Sequence, residues 1–159
     1  MMKTAVFGGG CFWCTEAVFA MLKGVNRVEP GYAGGSIVNP SYERVSMGDS
    51  GHAEVIRVHY DPSLISYEDL LIVFFGSHDP TTPNRQGNDV GEQYRSVIFY
   101  SDDEEKETAL RIIKNVDESL TDGTRVVTEL IPLQEFFPAE DYHKDYFKKN
   151  SSAPYYQLI

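Results

Sequence analysis

The succession of amphipathic segments is what most restricts this chain. Residues 3–8 read as a short apolar strand, 16–23 as a helix with Val18, Met21 and Leu22 on one side, and 25–32 as a second strand. Gly24 ends that helix. Over residues 54–60, Ile56, Val58 and Tyr60 alternate with Val55, Arg57 and His59, the period of a strand with two unlike faces. Ser66-Tyr67-Glu68-Asp69 opens a helix with a capping-box-like pattern, and Leu70, Leu71, Phe74 and Phe75 carry its apolar side. Residues 96–100 read as a strand. Ser101-Asp102-Asp103-Glu104 then caps a helix in which Ala109, Ile112, Ile113, Val116 and Leu120 keep helical period. A strand over 124–130 and a short helix over 141–148 complete the order β-α-β-β-α-β-α-β-α. Its first six elements match a split β-α-β arrangement, so the expected class is α+β, two layers, with helices on a mainly antiparallel sheet. Two long polar stretches, 33–50 and 78–95, interrupt this order, and loops of that length in a compact domain are usually functional.

The 159 residues suffice for one sizeable core, which predicts a single domain over 1–159. No apolar run approaches the roughly 18–20 residues of a membrane helix. The opening residues are too few for a signal peptide, so the expected location is cytoplasmic, with no membrane partner. Net charge is −10, and basic residues form no cluster beyond Lys148-Lys149. Nucleic acid requires an electropositive face and is not an expected partner.

Both cysteines fall in Gly10-Cys11-Phe12-Trp13-Cys14, after an apolar run and glycines. In a cytosolic setting such a pair is more often reactive or metal-binding than a structural staple. At a helix start, the helix dipole and free N–H groups are expected to lower the first thiol's pKa, and the second thiol lies one turn away. The intervening aromatics are placed to line whatever pocket the first sulfur faces. Taken singly, Phe12 and Trp13 read as core, Tyr42 and Tyr94 as loop packing residues, Glu54 as a strand carboxylate and Asp89 as a loop-turn residue. Glu16 is a rival acid whose simpler role is first-turn charge, and His52, His59, His78 and His143 read as hydrogen-bonded structural residues.

Several separated motifs occur in one order: Gly9-Gly10-Cys11-Phe12-Trp13, Pro30-Gly31-Tyr32-Ala33-Gly34-Gly35, Pro40-Ser41-Tyr42-Glu43-Arg44-Val45 and Gly51-His52-Ala53-Glu54. His78-Asp79-Pro80-Thr81, Asn88-Asp89-Val90-Gly91-Glu92-Gln93-Tyr94-Arg95-Ser96 and Ala139-Glu140-Asp141-Tyr142-His143 follow. Across nearly its whole length the chain resembles the peptide methionine sulfoxide reductase A family. The resemblance implies a ferredoxin-like α/β roll and reduction of the S epimer of methionine sulfoxide, free or in proteins, by a monomer without cofactor or metal. Carried over by position, it implies Cys11 as nucleophile, Phe12 and Trp13 as walls for the substrate methyl, and Glu54 as the acid. Tyr42 and Tyr94 would bind the sulfoxide oxygen, and Asp89 would orient and polarise the site.

The chemistry needs these residue types. A sulfoxide resists thiolate attack because its oxygen leaves poorly, and a carboxylic acid kept neutral by burial can protonate it. Phenols complete an oxygen cage as neutral donors. Cys11 is left as a sulfenic acid that a second thiol must close to a disulfide, reopened by an external reductant, here expected to be thioredoxin. Position 14 is often glycine in the family, whose resolving cysteines commonly lie near the C-terminus. This chain has Tyr155 and Tyr156 there, so Cys14 is the expected resolving thiol, the alternative being direct attack on the sulfenic acid by an external thiol. Two other readings compete: a thiol–disulfide oxidoreductase, which the element order fits poorly, and a structural zinc site, for which the histidines lack paired ligand spacing.

Overall fold

The computed structural model describes residues 2–146. The strands and helices, in chain order, are β1 (Lys3–Gly9), α1 (Phe12–Ala20), β2 (Val25–Ala33), α2 (Tyr42–Ser46), β3 (Ala53–Tyr60) and α3 (Tyr67–Gly76). They continue with β4 (Arg85–Gln86), β5 (Asp89–Val90), β6 (Ser96–Tyr100), α4 (Asp103–Ser119), β7 (Glu129–Pro132) and β8 (Phe136–Pro138). Among the described residues one sheet runs β7-β6-β1-β3-β2-β8, and β4 and β5 form a separate hairpin. The pairs β1·β3, β1·β6, β2·β3 and β2·β8 are antiparallel, and β6·β7 is parallel. The inner order β6-β1-β3-β2, joined through α1 and α3, is the split β-α-β order that the sequence predicts.

Strand alternation sorts the apolar residues into two clusters. Phe7, Val28, Ile56, Val58, Tyr60 and Ile98 face Phe12, Phe19, Leu70, Phe74 and Ile112 of α1, α3 and α4. Val6, Val55, Val97, Phe99 and Phe136 form the second cluster, which contains no helix residue. The helices therefore pack on one face of the sheet. Phe7 fills the centre of that layer, its ring 5.2 Å from Phe74 and 5.8 Å from Phe19. Ser66 caps α3 through the reciprocal bonds of a capping box, as its sequence predicts.

Several boundaries differ from expectation for identifiable reasons. Helix α1 begins at Phe12, because the Cys11 carbonyl accepts from the Cys14 and Thr15 amides at 3.1 and 3.3 Å. The β-branched run at 124–128 is not strand. Its amides go elsewhere, Val126 to Asp117 Oδ1 and Val127 to the Pro80 carbonyl, each at 2.8 Å, and pairing with β6 starts only at Glu129. Helix α2 and the β4–β5 hairpin lie inside the two stretches read as loops. β8 is a further strand, on the edge next to β2, where Gly31 is required: a Cβ there would lie 2.3 Å from the Phe136 ring. A 3-10 turn spans Asp141–His143, and Lys144 and Asp145 continue as turn where a helix over 141–148 is expected; residues 147–148 lie outside the described residues.

On the sheet face away from the helices, Glu29 receives hydrogen bonds from Arg57 at 2.9 Å and His59 at 2.5 Å, with Arg27 at 3.2 Å. Burial pushes the Glu29 carboxyl up, but those two bonds and the charges of Arg57 and Arg27 outweigh it and hold the carboxyl at about 2. A depressed folded pKa stabilises above the ordinary value of 4.5 and loses that contribution as pH falls toward 2. Glu29→Gln is expected to lower stability by roughly 1–3 kcal/mol at pH 7, with the two melting curves converging in acid. Thermal melts across pH 2–7 check this, and a constant gap would refute it.

Candidate active site

The site is assembled where the C-terminal end of β1 feeds α1. Gly10, at φ +100°, makes the turn, and a Cβ there would lie 2.7 Å from Gln86 Cγ. Cys11 caps the helix and Phe12 opens it. The Phe12 amide, one of the helix's free N–H groups, donates to Glu54 Oε1 at 3.1 Å. Glu54 shares the parity of Ile56, Val58 and Tyr60 on β3, so it points beneath the helices, and it is 1% exposed. Its second oxygen, Oε2, has no hydrogen-bond partner. Burial above all pushes this carboxyl up to about 8, with the charges of Asp89 and Cys14 adding and the Phe12 amide opposing. At neutral pH it is mainly the neutral acid.

Aromatic rings cluster at the same helix start. The Phe12 ring lies 5.6 Å from Tyr32 and 6.3 Å from Tyr42, and Trp13 lies 6.1 Å from Tyr42. Tyr42 is the first residue of α2, whose N-cap Ser41 accepts from the Arg44 amide. Burial and the Glu54 charge push its phenol up to about 12. Tyr94 closes a 3-10 turn, and burial, Glu54, Tyr42, Asp89 and Cys11 together raise its phenol further. Both phenols remain neutral donors, and the groups that perturb them are one another's neighbours. The structure thus brings Cys11, Phe12, Trp13, Tyr42, Glu54, Asp89 and Tyr94 together.

Both cysteines are free and half-buried. Their side chains interact across one turn, so each thiol's titration depends on the other. That interaction, burial and the Glu54 charge push the Cys11 thiol up, whereas the same interaction holds Cys14 below its usual range. For Cys11 this direction is opposite to the lowering expected at a helix start. A cavity of about 390 Å³ opens on the sulfurs between α1, with Cys14, Thr15 and Val18, and the β4–β5 hairpin, with Gln86, Asn88 and Asp89.

Other residues take supporting places. Glu16 lies in the second turn of α1, not the first, because the helix starts earlier; it is buried and accepts the Asp145 amide at 2.8 Å. His52 is buried, accepting from the Gly35 amide and donating to the Ile37 carbonyl, which pins the loop before β3. His78 bridges the Phe74 carbonyl and Ser96 Oγ. No group of three or more His, Cys, Asp or Glu among the described residues is placed to hold a metal ion. Sequence reasoning missed Tyr32 and Glu140: the Tyr32 hydroxyl donates to Glu140 Oε1, and Glu140 Oε2 accepts the Tyr42 amide, both at 3.1 Å. Their presence in two of the quoted motifs was the available signal. No helix of the described residues is long and apolar enough to cross a membrane.

A free thiol pair at a helix start, facing a buried neutral carboxylic acid and two phenols, defines a thiol-based redox enzyme. The family model for peptide methionine sulfoxide reductase matches residues 3–159. A protein of Sulfolobus acidocaldarius named peptide methionine sulfoxide reductase MsrA is 54% identical, covering 99% of this chain and 89% of its own. One of the same name from Nautilia profundicola is 56% identical over 99% and 90%. Among solved structures, reduced Mxr1 of Saccharomyces cerevisiae superposes with a TM-score of 0.90 at 34% identity, over 96% of this chain and 87% of that one. Methionine sulfoxide reductase A of Corynebacterium diphtheriae gives 0.84 at 33%, over 96% and 76%. The chain belongs to the peptide methionine sulfoxide reductase family, and is an oxidoreductase acting on methionine sulfoxide.

Proposed function

We propose that the chain reduces the S epimer of methionine sulfoxide, free or in oxidised proteins, through a Cys11 sulfenic acid. The observation that carries this reading is the neutral, buried Glu54, bonded to the Phe12 amide through one oxygen and without a partner on the other. Phe12 and Trp13 wall the substrate methyl. Glu54, Tyr42 and Tyr94 donate to the sulfoxide oxygen, and Asp89 orients the cage and helps keep Glu54 protonated. The Cys11 sulfur bonds to the substrate sulfur while Glu54 protonates the sulfoxide oxygen. The hydroxyl then passes to the Cys11 sulfur as the bonds from the substrate sulfur to that oxygen and to Cys11 both break, so methionine leaves and Cys11 becomes S–OH. The proton lost by the Cys11 thiol restores Glu54. The Cys14 sulfur then displaces water from Cys11, forming a disulfide, and an external dithiol reopens it by exchange.

Thioredoxin is the proposed reductant. A yeast Mxr1 structure in complex with Trx2 shares this fold, with a TM-score of 0.64. In this reading one chain in the cytoplasm suffices as a monomer, since every residue named above lies on it. Turnover on separated epimers with thioredoxin or dithiothreitol tests the function: the S epimer should be consumed and the R epimer left, whereas activity on neither would overturn it. Tyr42→Phe and Tyr94→Phe are each expected to lower kcat/KM about tenfold by removing one donor to the oxygen. Unchanged kinetics in both would remove the phenols from the mechanism.

A further inference from the structure

Trp13 is the chain's single tryptophan. Its indole N–H donates to His143 Nδ1 at 3.1 Å, and its face stacks on Tyr146 with 3.8 Å between ring centroids and 8° between planes. His143 is 1% exposed, its ring 4.6 Å from Tyr42 and 5.1 Å from Phe12. Because Nδ1 accepts, the imidazole is neutral with its proton on Nε2. That nitrogen has no hydrogen-bond partner, the nearest carboxylate oxygen, Glu140 Oε1, standing 3.9 Å away. An unsatisfied buried donor is destabilising, a cost that a phenylalanine of similar volume would avoid. What the histidine supplies in return is the Nδ1 acceptor.

The segment that carries it is tied to three elements. Glu140 accepts the Tyr42 amide of α2 and the Tyr32 hydroxyl of β2, and Glu16 of α1 accepts the Asp145 amide. His143 is therefore presented to the indole from a fixed position. We propose that His143 is a positioning residue, whose neutral Nδ1 holds the Trp13 indole in the plane at which it walls the methyl pocket. This rests on the reading of Trp13 as that wall.

Protonation removes the acceptor. Burial lowers the pKa of His143 below its usual value; Glu140 of its own segment and Glu43 of α2 oppose this, and the phenols of Tyr42 and Tyr142 and the rings of Phe12 and Trp13 complete its surroundings. The bond consequently breaks only below the ordinary histidine range, where the imidazolium beside the indole quenches its emission.

The test uses the intact reduced protein, since its one tryptophan reports the bond directly. Wild-type emission should drop in a single transition below pH 6.5 that His143→Phe abolishes. In steady state with the S epimer of N-acetylmethionine sulfoxide, His143→Phe should raise KM about five- to tenfold with kcat within about twofold. His143→Asn puts an amide oxygen where Nδ1 stands and should keep KM within about twofold of wild type. Equal effects of Asn and Phe would reduce the role to packing, and emission and KM like wild type in His143→Phe would overturn the inference. An emission change without a KM change would leave the indole bond standing and overturn the positioning role. The His143→Asn comparison and the wild-type titration remain decisive should His143→Phe not fold.

Discussion

Replacing Glu54 by glutamine is expected to slow methionine release in a single turnover by about 10²–10³-fold at neutral pH. The amide keeps a hydrogen-bond donor in the same volume but cannot deliver a proton to the departing oxygen. The pH dependence separates this from a packing effect. Burial foremost puts the Glu54 carboxyl at about 8, so the reactive acid form prevails below that value. The wild-type rate should fall as pH rises through about 8 for this group, and Glu54→Gln should lack that limb. The same shift predicts an opposite effect on stability. A carboxyl whose folded pKa is raised stabilises fully below its ordinary value of 4.5 and loses that contribution as pH rises through about 8. Above that range the neutral glutamine should therefore melt higher than wild type, by on the order of a few kcal/mol. The residue that makes the site competent is thus one the fold would gain by losing. Stopped-flow rates and melts over pH 5–9 check both halves. A rate loss below about fivefold, or an unchanged alkaline limb, would remove Glu54 as the acid.

The second large effect concerns Cys14. After one equivalent of substrate, Cys14→Ser should hold Cys11 as a lasting sulfenic acid, one oxygen heavier, where wild type holds a disulfide and has released water. Methionine should still appear in the first turnover, because the attacking sulfur and the acid are intact. Steady-state turnover with thioredoxin should fall about 100-fold or more, since the step that makes a disulfide is gone. The geometry favours this: the Cys14 amide bonds to the Cys11 carbonyl across one helical turn, and both side chains line the cavity beside the β4–β5 hairpin. Full thioredoxin-linked turnover by Cys14→Ser would instead mean direct attack of an external thiol on the sulfenic acid.

Much of the fold was legible because its period signals are strong. The alternation across residues 54–60 separates Val55, Arg57 and His59 from Ile56, Val58 and Tyr60, and that parity also puts Glu54 under the helices. What failed was decided by partners remote in sequence. The amides of Val126 and Val127 are taken by Asp117 and Pro80, so a β-branched run does not pair. Phe136-Phe137-Pro138 is too short to show a period, and only its neighbour β2 makes it a strand. The site divides in the same way. Cys11, Phe12 and Trp13 announce themselves by the strand–glycine–helix junction. Tyr42, Asp89 and Tyr94 lie in stretches without period, and only resemblance marked them. Glu140, Tyr32 and His143 escaped because a carboxylate taking a distant amide, or an imidazole taking an indole proton, leaves no local pattern.

The central claim is that Cys11 takes the oxygen from one epimer of methionine sulfoxide and that Cys14 closes the disulfide. Its most direct measurement is a single turnover without reductant, in which the reduced protein meets an excess of each separated epimer and both methionine and remaining thiols are counted. The account predicts one equivalent of methionine from the S epimer, loss of both thiols, and a product two hydrogens lighter that carries a Cys11–Cys14 link. It predicts no methionine and both thiols intact with the R epimer. Methionine from neither epimer, or equal amounts from both, would contradict it.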